Sequence, residues 1–127
     1  MAIAGLGQDL VELARIRDAL ERFGERFLQR CYTAEEIRFC RLQADPIPRL
    51  AARYAAKEAA SKALGTGIAR GVLWRDMEVL REPGQPPRLH LHGRAAERAA
   101  AMGITAMHIT ISHEREMASA LVIAERN

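Results

Sequence analysis

The hydrophobic pattern changes period along the chain, and each change marks an element. Ile3 to Leu10 reads as a strand with glycines at positions 5 and 7, where the backbone approaches a neighbour closely or kinks. Val11, Ile16, Leu20 and Phe23 recur at helical spacing, which predicts a helix over about residues 12–23 that stops at Gly24. Thr33-Ala-Glu-Glu36 has the form of a capping box and opens a second helix to about Gln43, broken by Asp45-Pro-Ile-Pro48. Pro48 suits the first turn of a third helix. That helix carries Leu50, Tyr54, Ala55, Ala59 and Leu64 and ends at Gly65-Thr-Gly67. Its many alanines favour helix and permit close packing.

In the second half the period shortens. Trp74 to Arg81 reads as a strand, Pro83-Gly-Gln-Pro-Pro87 as a turn, and Arg88 to His92 as the returning strand of a hairpin. Arg94 to Met102 is a short helix stopped by Gly103. Thr105 to Ser112 and Met117 to Ala124 are two further strands joined by His113-Glu-Arg-Glu116. No repeat or linker divides the chain, so residues 1–127 are expected to form a single domain. Its class is α+β: an antiparallel sheet packed against helices.

Composition narrows the function. With few aromatic residues, Leu, Ile, Val and Ala must fill the core. A net charge of +3 favours an acidic partner or anionic substrate over a dedicated nucleic-acid binder, which needs exposed aromatics for base stacking. Cys31 and Cys40 form no CxxC pair and have no histidines beside them, which argues against zinc and for a reduced, intracellular setting. An acid as early as Asp9 argues against a signal peptide, and no apolar run has membrane-spanning length. The expectation is a soluble, cytoplasmic protein with neither nucleic acid nor membrane as partner.

Candidate chemistry gathers in one run, Arg53-Tyr-Ala-Ala-Lys57-Glu58-Ala-Ala-Ser-Lys62. It holds both lysines of a chain with seventeen arginines. Lysine is a compact point charge that can release its proton, whereas arginine stays charged. Glu58 and Lys62 share a helical face, and an ordinary surface ion pair explains that spacing as readily as catalysis does. Ser61 adds a hydroxyl, and Gly65-Thr66-Gly67 follows one turn later. Asp9 ends the first strand and suits either a helix cap or a metal ligand. Two carboxylates with a lysine nearby would make a magnesium and phosphate site. Spacing alone does not bring Asp9 to Glu58.

His108, Thr110 and Ser112 alternate with Ile109 and Ile111, so they share one face of a strand. That face is either plain polar surface or a row of donors for an anionic ligand. His90 and His92 alternate likewise and are expected to face solvent. Arg15, Arg22, Arg26 and Arg30 follow a rough stripe, either a solvated face or a dock for an acidic partner.

Taken together, the motifs resemble the holo-acyl-carrier-protein synthases, the small bacterial 4′-phosphopantetheinyl transferases. Gly5-Leu-Gly-Gln-Asp9-Leu-Val-Glu12 is similar to the family's opening Gly-x-Gly-x-Asp-x-Val-Glu. The run from Arg53 to Gly67 resembles its central Lys-Glu-x-x-x-Lys motif. His108-Ile-Thr-Ile-Ser-His-Glu114 resembles its C-terminal strand, and Gly84-Gln-Pro86 its hairpin turn. Gln8 stands where threonine is more usual, and Met117 where an aromatic is common. The resemblance implies Mg²⁺-dependent transfer of 4′-phosphopantetheine from coenzyme A to a serine of apo-acyl-carrier protein, in support of fatty acid biosynthesis. The other product would be adenosine 3′,5′-bisphosphate.

The resemblance also implies roles for residues. Asp9 and Glu58 would hold the metal. Lys62 would stabilise or protonate the leaving phosphate, and Glu58 or a water would take the serine proton. Arg53, Ser61, Lys62, Gly65, Pro86, His108 and Thr110 would contact coenzyme A. Arg15, Arg22 and Arg26 would dock the acidic carrier, and a homotrimer would build sites between subunits. Two other readings keep the same residues. One is a non-enzymatic basic module for an acidic protein or nucleic acid, and the other a Mg²⁺-dependent pyrophosphate hydrolase acting on coenzyme A.

Overall fold

Helix α4, Ile47–Ala63, is almost wholly buried: only Pro48, Arg49, Glu58 and Lys62 of its seventeen residues escape. The reason is the alanine content. Ala51, Ala52, Ala55, Ala56, Ala59, Ala60 and Ala63 let other elements approach the helix on nearly every side. Glu58 and Lys62 therefore sit on the one strip of its second half that ligands can reach.

The computed structural model describes all residues, 1–127. Around α4 the chain runs β1 (Ala2–Glu12), α1 (Leu13–Phe23), α2 (Glu25–Cys31) and α3 (Ala34–Cys40) before it. After it come a 3₁₀ turn (Trp74–Asp76), β2 (Met77–Leu80), β3 (Arg88–Leu91), α5 (Gly93–Ala101), β4 (Ile104–His113) and β5 (Met117–Arg126). The expected α+β class is what forms. An antiparallel three-stranded sheet, ordered β1-β5-β4, packs against α4, and β2-β3 make a separate hairpin. No helix is long and apolar enough to cross a membrane.

The β1 glycines explain how the sheet reaches α4. A Cβ on Gly5 would overlap the carbonyl oxygen of Ala63, and one on Gly7 that of Ala59. Neither glycine has a positive φ, so the requirement is space, not backbone freedom. Gly5, Gly7, Asp9 and Val11 share the inner face by alternation, opposite Ala124, Val122, Ala120 and Ala118 of β5. The outer face carries Leu6, Leu10 and Leu121, all exposed, with Ile123 and, from β4, His108, Thr110 and Ser112.

Several boundaries differ from the sequence expectation. Strand β1 continues to Glu12, so Asp9 lies inside the strand opposite Ala120 and caps no helix. Helix α1 begins at Leu13, and its N-cap Glu12 makes no side-chain bond. Gly24 ends α1 but leads directly into α2, whose seven residues carry too short a pattern to predict. Helix α3 stops at Cys40 rather than near Gln43. The segment at Trp74 is a 3₁₀ turn, and strand β2 starts only at Met77.

That last difference has a cause in the interior. Lys57 is fully buried, and its Nζ donates to Glu36 Oε1 at 2.7 Å, Met77 O at 2.7 Å and Trp74 O at 3.1 Å. Glu36 closes the predicted capping box with Thr33 and also accepts from Val79 N through its other oxygen. One ion pair thus fastens α3, the 3₁₀ turn and β2 to α4. Burial pulls the Lys57 pKa below its ordinary value, and the Glu36 carboxylate opposes that shift.

Candidate active site

Asp9 and Lys62, 53 positions apart, meet where β1 crosses α4. Lys62 Nζ donates to Asp9 Oδ1 at 3.2 Å and to the Gln8 carbonyl at 2.8 Å. The Asp9 side chain is 20% exposed and that of Lys62 52%. The surface pair between Glu58 and Lys62 that their spacing allows does not form, because Lys62 reaches across to the strand instead.

Glu58 completes a group of three. Its carboxylate has no hydrogen-bond partner in the chain, and Ser61 Oγ donates to its backbone carbonyl at 2.7 Å. Burial raises the Glu58 pKa, the charge of Asp9 raises it further, and Arg15 and Lys62 pull the other way. Two acids from separate elements therefore share one electrostatic environment. No group of three or more His, Cys, Asp or Glu side chains forms a metal cage. The donor set fits Mg²⁺ nonetheless, since that ion commonly takes one or two carboxylates and completes its shell with water and substrate phosphate.

The remaining candidates fall in different places. Ser61 is buried and its hydroxyl is spent on the helix backbone, so it offers nothing to a ligand in this chain. Gly65 is exposed at the end of α4 with φ near +74°, and Thr66 and Gly67 both donate their N–H to the Ser61 carbonyl. Pro86 is exposed in the loop between β2 and β3. His108 and Thr110 lie on the outer face of the sheet, away from Asp9, and the His108 ring bonds Glu125 at 2.9 Å. Within one chain they do not join the Asp9–Glu58–Lys62 group. His90 is exposed as expected, and His92, also exposed, bonds Glu78 at 2.9 Å.

Arg53 is 3% exposed, and its guanidinium stacks 4.5 Å from the Phe39 ring centroid. Its Nε is the one buried side-chain polar atom without a partner. Burial lowers its pKa from the ordinary guanidinium value, yet arginine keeps its proton. It borders a cleft of about 630 Å³ with Arg49, Arg81, Ser112 and His113. Arg49, Arg81 and His113 escaped the sequence reading. Alternation was the available signal: His113 falls in step with Ile109 and Ile111, on the α4 side of β4, not with His108.

The arginine stripe is split between two helices, with Arg15 and Arg22 on α1 and Arg26 and Arg30 on α2. Arg15, Arg26 and Arg30 rim a groove of about 510 Å³ walled by Phe23, Phe27 and Trp74. Trp74 stacks on Tyr54, with centroids 4.5 Å apart, and Arg15 donates to the Tyr54 hydroxyl at 3.5 Å. Arg22 lies over the exposed Phe23 ring, 5.5 Å from its centroid. This cationic groove runs up to Tyr54, whose pKa burial raises and whose titration senses both Glu58 and Asp9.

Two acids and a lysine beside basic clefts have the chemistry to handle phosphate groups, and sequence relatives identify the kind of protein. The 4′-phosphopantetheinyl transferase superfamily pattern matches residues 5–119, and the chain belongs to that family. It is 50% identical to the holo-[acyl-carrier-protein] synthase of Koribacter versatilis, covering 97% of this chain and 98% of the relative. It is 51% identical to that of Solidesulfovibrio magneticus over the same shares of each. The crystal structure of holo-[acyl-carrier-protein] synthase from Neisseria meningitidis superposes with a TM-score of 0.90 at 33% identity, covering 98% of this chain and 100% of the other. The Helicobacter pylori synthase in complex with coenzyme A gives 0.84 at 32% identity, covering 94% and 99%.

Proposed function

We propose that this chain transfers 4′-phosphopantetheine from coenzyme A to a serine hydroxyl of an apo-acyl-carrier protein, releasing adenosine 3′,5′-bisphosphate. The observation that carries the reading is the convergence of Asp9, Glu58 and Lys62 on the reachable strip of α4, next to the arginine-rimmed groove.

Asp9 and Glu58 would hold Mg²⁺, which when bound neutralises charge on the pyrophosphate oxygens. Glu58 accepts the serine proton, since its carboxylate is free of hydrogen bonds within the chain. Lys62 neutralises the leaving phosphate. Phosphoryl transfer demands chiefly positioning and charge stabilisation, and these residues supply both.

Arg53, with Arg49, Arg81 and His113 beside it, takes a phosphate of the coenzyme, which would satisfy the orphan Nε. Arg15, Arg22, Arg26 and Arg30 receive the acidic carrier protein. The enzyme acts as a homotrimer. Exposed Leu6, Leu10 and Leu121 give a second copy an apolar face to cover, and His108 and Thr110 beside them would reach a neighbour's site. Free, buried Cys31 and Cys40 suit a reducing cytoplasm.

The test is intact-mass measurement of apo-carrier protein after incubation with this enzyme, coenzyme A and Mg²⁺. A phosphopantetheine-sized gain on one serine, with stoichiometric adenosine bisphosphate, is expected. Coenzyme A consumed without carrier would indicate a hydrolase. No gain and no consumption would leave only a binding module.

A further inference from the structure

Lys62 has two possible partners, and the structure pairs it with the less expected one. Its ammonium sits on Asp9 and the Gln8 carbonyl rather than on Glu58, its neighbour one helical turn away. We infer that Lys62 is a cation placeholder: it occupies the Asp9 carboxylate until a divalent ion claims it, and is thereby released toward the phosphate that the ion brings. The inference rests on the proposed metal reading of Asp9 and Glu58.

The electrostatics favour an exchange. The Lys62 end of the pair is half exposed, so its ammonium is held weakly. It answers only one of the two acids. Glu58 stays without a hydrogen-bond partner, while the ammonium is engaged on Asp9 and Gln8. A dication that touches both carboxylates satisfies both at once, and lysine cannot match that with a single charge. The neighbouring groups are Arg15 and Tyr54, and the Arg15 guanidinium is itself engaged by the Tyr54 hydroxyl, which accepts from it. Neither hydrogen-bonds Asp9. The Gln8 carbonyl that helps hold the ammonium belongs to the backbone, so the parking spot is built into β1 whatever side chain stands at position 8.

Exchange would impose an order. The ammonium would become free to neutralise a phosphate only once the ion had taken Asp9, so the lysine would contribute to coenzyme binding only when the metal is present.

The chain has just two lysines, which makes the test direct. Lysine labelled with ¹³C at the ε carbon gives one signal from buried Lys57 and one from Lys62. Adding Mg²⁺ without coenzyme should increase the side-chain mobility of Lys62 and leave Lys57 unchanged. In Asp9→Asn, Lys62 should be mobile from the start and insensitive to Mg²⁺. Lys62→Met should tighten Mn²⁺ binding, read by electron paramagnetic resonance, by roughly two- to fivefold, the range of a half-exposed ion pair. Arg15→Gln, which removes a nearby charge without removing a partner of Asp9, should tighten it less.

Two results would overturn the placeholder and leave the metal site standing. In one, Lys62 stays ordered at saturating Mg²⁺ while Mn²⁺ broadens its signal in the wild type but not in Asp9→Asn. In the other, Lys62→Met binds Mn²⁺ no more tightly than Arg15→Gln does. A third result would overturn both: Mn²⁺ broadening that is the same in wild type, Asp9→Asn and Glu58→Gln.

Discussion

Lys57 Nζ lies 2.7 Å from Glu36 Oε1, and neither side chain reaches solvent. Of the two lysines that flank Glu58, this one builds the fold and the other reaches out to Asp9. The pair also explains why the sequence cannot assign them by composition: the two lysines differ only in which side of α4 they occupy.

Removing one partner of the pair strands a buried charge. Lys57→Met is expected to cost about 3–5 kcal/mol in urea unfolding. Adding Glu36→Gln should recover part of that, but not all, because Glu36 also accepts from Thr33 N and Val79 N. A loss below about 1 kcal/mol for the single substitution would show that the pair does not hold these elements.

Gly7→Ala places a methyl group against the Ala59 carbonyl. The strand must shift off the helix, at a cost of about 1–3 kcal/mol. Transfer should fall more than stability does, since Asp9 rides two residues further along the same strand. Gly84→Ala, in the hairpin turn where a Cβ meets nothing, tests positive φ alone and should leave turnover intact. Equal turnover in Gly7→Ala and wild type would mean that Asp9 is not positioned by this contact.

Glu58→Gln is expected to lower transfer at least about a hundredfold, measured by carrier mass shift. It should also stabilise the metal-free protein. A carboxyl with a raised folded pKa favours folding below its unfolded pKa and loses that advantage as pH rises through the folded value. Melting temperatures should therefore coincide near pH 3 and separate at neutral pH, with the variant higher by a few degrees at most. In the wild type, turnover should fall at acid pH, where a protonated Glu58 can neither hold the ion nor accept the serine proton. A variant that melts lower at neutral pH would reverse the assigned sign.

Arg53→Met removes the stacked guanidinium and its orphan Nε. Coenzyme A affinity, measured by calorimetry, should weaken roughly tenfold or more, in line with loss of a charge-assisted hydrogen bond. The KM for carrier protein should stay near the wild-type value.

Arg15→Glu and Arg22→Glu should do the opposite. They raise the carrier KM, most at low salt, and leave coenzyme affinity nearly unchanged. A carrier KM that ignores both the reversals and salt would remove the docking role from this groove.

Local pattern carried much of the molecule. The capping box at Thr33, the stop at Gly24, the β2–β3 hairpin and the alternation of β4 all depend on neighbours within a few residues, and all are in place. The glycines at 5 and 7 signalled a close approach correctly, without naming what approaches. Helix α2 was missed because seven residues hold too little periodicity to register. The strand expected from Trp74 gave way to a 3₁₀ turn, where the Trp74 carbonyl, with that of Met77 just after it, turns inward to a lysine far away in sequence.

The sequence by itself determined the family and singled out the candidate residues for the chemistry, because motif order and spacing are properties of the chain. Only the tertiary structure decided who meets whom. It sent Lys62 to Asp9 instead of Glu58, buried Ser61 and Lys57, turned His108 and Thr110 to the far face of the sheet, and gathered His113 with Arg53. The physical reason is that these outcomes depend on which faces of α4 and the sheet are covered, and coverage is settled by packing between distant segments.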